Sequence, residues 1–215
     1  MKKLWVYGDS NSEVYDSFDA YNMWSNEYLK WKGYIPKHYT QIIAEKFNCE
    51  LRNFSKSGTN NQTIFERFCN SVNNISLDDI VIIQWTEPNR FRLADDNNNW
   101  ADFKFHNIQN KSTIENFKNV SIKTIEETLI NRLNIKYKEE LESWNALIKF
   151  ALKENNLIIW SPFEHSYSGN ILKSIETISI ETKGVINDPH FSELGQIQIS
   201  EILMNQLLNL PKPII

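Results

Sequence analysis

The sequence predicts an α/β protein: a three-layer α/β/α sandwich around a parallel sheet of about five strands. Three observations point there. Short β-rich runs alternate with stretches of helical period along the 215 residues, the order that builds a parallel sheet with crossover helices. The clearest run, Asp79-Ile80-Val81-Ile82-Ile83-Gln84, is apolar almost throughout, as a strand covered on both faces must be. Clusters of polar residues follow several of these runs, at the carboxyl edge where such sheets bind ligands. The length suits one domain over 1–215, with a polar insertion at about 88–120.

Residues 3–7 read as the first strand. A helix is expected over 36–47, with Tyr39, Ile42, Ile43 and Phe47 on one face. Residues 50–54 form a short second strand. Residues 61–72 form a helix with Ile64, Phe65 and Phe68 turned inward, and 79–84 a third strand. The polar stretch that follows carries Trp100, Phe103, Phe105 and Phe117, which need burial, so it reads as an ordered insertion. A long helical stretch spans roughly 122–155, residues 157–160 make a fourth strand, 177–180 are the candidate fifth, and 192–208 form the last helix.

Composition narrows the function classes. The chain is 41% hydrophobic and 23% charged, which is globular, and its net charge of -4 gives no electrostatic grip on nucleic acid or an anionic membrane. The apolar run after Met1-Lys2-Lys3 ends at Tyr7, too short for a signal peptide, and no other stretch approaches a membrane span. A cytoplasmic location is therefore expected. Cys49 and Cys69 have no metal spacing and read as buried thiols, a disulfide being the alternative. No pair among His38, His106, His165 and His190 has ligand spacing, and no glycine-rich phosphate loop is present, so neither metal nor cofactor is expected. Tyr21, Trp24, Tyr28, Trp31, Tyr34 and Tyr39 crowd one region. Their spacing fits a core-facing helix, and a platform for sugar rings is the second reading.

Gly8-Asp9-Ser10 also admits two readings. It is an ordinary strand-end turn, or it presents a serine nucleophile. Three further clusters fall beyond strand ends or before the last helix: Ser57-Gly58-Thr59-Asn60-Asn61, Trp85-Thr86-Glu87 and Asp188-Pro189-His190. Serine chemistry needs this assortment. A hydroxyl requires an imidazole to take its proton, the imidazole requires an orienting partner, and the oxyanion requires preplaced donors.

In this order the blocks resemble the GDSL, or SGNH, hydrolase superfamily, whose enzymes hydrolyse esters on a flavodoxin-like sheet. The resemblance implies Ser10 as nucleophile, His190 as general base and the Gly58 N–H as an oxyanion donor beside that of Ser10. Two positions depart from the pattern. Thr86 stands where the third block has an oxyanion-hole Asn, leaving Thr86, Asn60 or Asn61 as helper donors. Asn187 stands where an Asp precedes the His by three residues, leaving Asp188 as the expected orienter, with Asn187, a backbone carbonyl or Glu164 of the Glu164-His165 pair as alternatives. Trp24 and Trp85 are the expected substrate-facing aromatics. The implied activity is a serine esterase removing a small acyl group, acetyl above all, from a carbohydrate or similarly polar small molecule. An O-acyltransferase on the same residues and a non-catalytic glycan-binding module are the competing functions.

Overall fold

A computed structural model describes residues 1–14, 26–88, 90–94, 100–104, 136–153, 156–163, 170–171 and 175–210. The elements in order are β1 (Lys3–Tyr7), α1 (Asn26–Lys32), α2 (Tyr39–Lys46), β2 (Glu50–Asn53), α3 (Asn61–Ser71), β3 (Ile80–Gln84), β4 (Arg90–Ala94), β5 (Trp100–Lys104), α4 (Tyr137–Leu152), β6 (Leu157–Ser161), β7 (Asn170–Ile171), α5 (Ile178–Glu181) and α6 (Glu193–Leu208). The main sheet has the order β2-β1-β3-β6-β7 with every pairing parallel. This is the flavodoxin-like order, whose direction reverses between β1 and β3.

Alternation along the central strands divides the core into two halves. Leu4, Val6, Ile80 and Ile82 face one side and pack on Tyr39 and Ile43 of α2 and on Ile199 and Leu203 of α6. Trp5, Tyr7, Val81 and Ile83 face the other and pack on Ile64 and Phe68 of α3 and on Leu141 and Ile148 of α4. Successive strand side chains point to opposite faces, so two apolar layers require strands that are apolar at every position.

The described residues differ from the sequence expectation in four places. Residues 177–180 are not a strand: Thr177 caps the short helix α5, accepting a hydrogen bond from the Ile180 N–H, and only an isolated bridge to Phe191 is extended. The fifth strand is instead the two-residue β7. Within the polar stretch, β4 and β5 form a separate antiparallel pair. Cys49 is half-buried and Cys69 exposed, both as free thiols. The aromatic cluster splits as well: Tyr28 and Tyr39 are fully buried, whereas Trp31 and Tyr34 are about half exposed. Tyr21 and Trp24 lie outside the described residues. Among the described residues no helix is long and apolar enough to cross a membrane.

Candidate active site

The loop after β1 is shaped by what lies behind it. The Gln84 Oε1 atom at the end of β3 accepts from the Asp9 N–H at 3.1 Å and from the Ser12 hydroxyl at 2.8 Å. A Cβ on Gly8 would fall 2.5 Å from that same oxygen, so only glycine fits there. Asp9 is completely buried and turns inward: one carboxylate oxygen accepts from the Asn11 N–H, the other from the Thr86 hydroxyl at 2.5 Å. With Asp9 held in this way, Ser10 is delivered to the sheet edge.

The imidazole of His38, at the N-terminus of α2, supports the loop from below. Its Nδ1 accepts from the Thr40 N–H, which leaves Nε2 to donate to the Asn11 carbonyl at 3.1 Å. Burial drives its pKa down from 6.5 to about 3, with the Asn11 carbonyl opposing. His38 is thus a neutral structural group.

The loop before α6 brings His190 to Ser10. His190 Nε2 lies 3.0 Å from Ser10 Oγ, and His190 Nδ1 lies 2.6 Å from Asp188 Oδ1. The same Oδ1 accepts from the His190 backbone N–H at 2.9 Å. A spacing of only two residues therefore works because Asp188 makes an Asx turn, with Pro189 as its centre. The Asp188 peptide is clipped in turn by Ser179, whose hydroxyl accepts from the Asp188 N–H at 2.7 Å and donates to the Asp188 carbonyl at 2.8 Å. Asn187 is exposed, and Glu164 lies outside the described residues.

Gly58 sits in the loop after β2 at φ +79, in the left-handed region. Glu13 fixes this loop by accepting from the Ser57 N–H at 2.6 Å. Burial raises the Glu13 carboxyl above its usual range, against the lowering effect of that bond.

The three loops and the start of β4 surround a pocket of about 430 Å³, lined among others by Ser10, Gly58, Arg90, Phe163, His190 and Phe191. Several residues expected here stand elsewhere. Trp85 is fully buried beneath the sheet edge with its indole N–H on Asn145. Thr86 and Asn61 bind each other: the Thr86 N–H donates to Asn61 Oδ1 at 2.7 Å and Asn61 Nδ2 donates to the Thr86 carbonyl at 3.1 Å. Asn61 Nδ2 also donates to the Tyr137 hydroxyl. Asn60 caps α3 through the Thr63 N–H. Ser179, Gln84, Glu13 and Arg90 complete the site without having been singled out. Each does so through the fold, and of these only Gln84 belongs to a run the sequence marks.

No known family profile matches the chain, and no curated protein sequence does. Several solved structures are similar to it, two of them as follows. Protein YxiM of Bacillus subtilis is 13% identical at a TM-score of 0.36, the match covering 95% of this chain and 42% of that one. A protein of Desulfitobacterium hafniense described as lipolytic, of the G-D-S-L family, is 11% identical at a TM-score of 0.36, covering 96% of this chain and 99% of its own. The chain thus spans less than half the length of YxiM. In this chain the parallel sheet and the pocket at its edge bring Ser10, Gly58 and His190 together.

Proposed function

We propose that the chain is a serine ester hydrolase of the SGNH type, removing a small acyl group, acetyl first, from a carbohydrate or similarly polar alcohol. The supporting observation is the unbroken line from Asp188 through His190 to Ser10, with both contacts inside hydrogen-bond range and opening on one pocket. Asp188 fixes the tautomer in which Nδ1 carries the proton and Nε2 faces the serine.

In this reading Ser10 Oγ attacks the ester carbonyl carbon while its proton passes to His190 Nε2. The carbonyl electron pair moves onto oxygen, where the Ser10 and Gly58 N–H groups are its expected donors. Collapse of the tetrahedral intermediate breaks the carbon–oxygen bond to the alcohol, which leaves with the proton from His190. Water, activated by the same imidazole, then releases the acid. Pro162, Phe163 and Ile175 give the pocket an apolar wall, which suits a short acyl chain.

The test is turnover of p-nitrophenyl acetate together with labelling by a fluorophosphonate. Hydrolysis and a single label on Ser10 are expected. A folded protein without turnover, or a label on another serine, overturns the reading.

A further inference from the structure

A buried charge is stable only when it is paired and hydrogen-bonded. Arg90 meets the first condition and not the second. Its side chain is 6% exposed, with Nη2 3.5 Å from Asp9 Oδ2 and Nε 3.6 Å from Glu87 Oε2. Charge-assisted hydrogen bonds of this kind run to about 2.7–2.9 Å, and neither Nε nor Nη1 has a hydrogen-bond partner. The guanidinium is balanced in charge; its Nε and Nη1 are closed off from solvent, so Nη2 is the nitrogen left to meet a ligand in the pocket that Arg90 lines.

The Thr86 and Asn61 side chains are already engaged. The Thr86 hydroxyl donates to Asp9 Oδ2, the same oxygen that Arg90 approaches. The Asn61 amide nitrogen donates to Thr86 and Tyr137. A third donor supplied by Thr86 or Asn61 would have to break a buried hydrogen bond, whereas Arg90 Nη2 meets Asp9 only as an ion pair at 3.5 Å.

We infer that Arg90 donates an N–H to the ester carbonyl oxygen as it becomes the oxyanion, so that a residue from β4 fills the place the sequence pattern gives to Thr86. This rests on the esterase reading above. The surrounding charges define when the interaction counts. One guanidinium stands with the carboxylates of Asp9, Glu87 and Asp188, so formal charge at the site is net negative while His190 is neutral. A substrate with a fixed negative charge gains little there. A neutral ester acquires its charge only in the transition state, beside Arg90, and such a donor raises kcat without tightening ground-state binding. Neutral acyl groups are therefore the substrate class, and acyl chains ending in a carboxylate are disfavoured.

The experiment begins with the full chain. If the folded parent does not turn over p-nitrophenyl acetate, or labels at another serine, the esterase reading and this inference fall together. In an active parent, Arg90→Met is expected to lower kcat by about 10²–10³-fold, the usual cost of one oxyanion donor, with KM changed less than about threefold. Millimolar guanidinium added to that variant is expected to restore part of the lost rate, which relief of a merely structural defect would not do. If Arg90→Met does not fold, Arg90→Lys keeps a cation beside Asp9 and is expected to lose at least tenfold in kcat. A folded variant with parental kcat, or one in which only KM rises, overturns the role of Arg90 while Ser10 labelling leaves the esterase standing.

Discussion

Ser10 and His190 meet across a single hydrogen bond, but the two loops that carry them are fastened by different means. The bonds behind Ser10 reach far along the chain: Ser12 to Tyr39, Asn53 to Ser12, Asp9 to Gln84 and Thr86 to Asp9 link positions 27 to 77 residues apart, at sites buried or nearly so. The Asp188–His190 loop is held by Ser179, nine residues away, by the Ile178 N–H on the His190 carbonyl, and by its own Asx turn. Ser10 is therefore positioned by contacts that exist only once the sheet and its helices have assembled. His190 is positioned by a local clip set on that core.

If the two loops form one machine despite this difference, removing either should cost as much as removing both. Ser10→Ala, His190→Ala and the double variant are each expected to lose on the order of 10⁶ in kcat, as in serine hydrolases whose triad members act as a unit. Steady-state rates for the three variants test this. A double variant far below both singles would show that the groups act independently.

Asp188 is the hinge of the comparison, being both the proposed orienting carboxylate and part of the clip. Asp188→Asn preserves the shape of the Asx turn but presents an amide to His190 Nδ1, favouring the wrong tautomer. The expected loss is about 10⁴ in kcat, with thermal stability close to the parent. A loss of tenfold or less would mean that another group orients the imidazole.

The far-fastened loop should reveal itself in stability as a function of pH. His38 has a folded pKa of about 3 against an ordinary 6.5, lowered mainly by burial. Between those values the unfolded chain binds a proton that the native protein does not. Stability therefore rises with pH across this window and falls as pH drops from about 6.5 toward 3. The effect is on the order of a few kcal/mol. Melting temperatures of the parent and His38→Gln between pH 4 and 7 should converge toward acid, because the variant lacks this dependence. Parallel curves would show that His38 carries no such linkage.

The same contrast explains what could be read from the sequence. The central strands were legible because burial on both faces demands an unbroken apolar run, as in Ile80–Gln84. Ser10 and His190 could be picked out because Gly8-Asp9-Ser10 at a strand end and a histidine just before the last helix leave local signatures, and the structure brings their side chains within 3.0 Å. Residues 177–180 misled because Thr-Ile-Ser-Ile is β-rich in composition, whereas the Thr177 hydroxyl caps a helical turn and Phe191 crosses it. Trp85 misled because a side chain immediately after a strand can turn into the core as readily as toward substrate, and nothing local marks Asn145 as its partner. Arg90 left no signature, since its place depends on the β4–β5 pair folding beside Asp9 and Glu87.

The smallest effect is the most direct test of the clip. Ser179→Ala removes a hydroxyl that serves both the Asp188 N–H and the Asp188 carbonyl. The carbonyl keeps the Ser179 backbone N–H at 3.0 Å, so only the Asp188 N–H loses its partner. One hydrogen bond of this kind is worth about 1 kcal/mol. The carboxylate itself stays aimed, because the His190 N–H still binds Oδ1. The variant should therefore keep kcat within about fivefold of the parent and lose only a few degrees in Tm, by the usual scaling for chains of this length. It should also become more sensitive to temperature in kcat, since the loosened loop carries His190. A loss of 10²-fold or more would mean that the clip fixes the carboxylate as well as the backbone, and the base would then be no less dependent on its surroundings than the nucleophile.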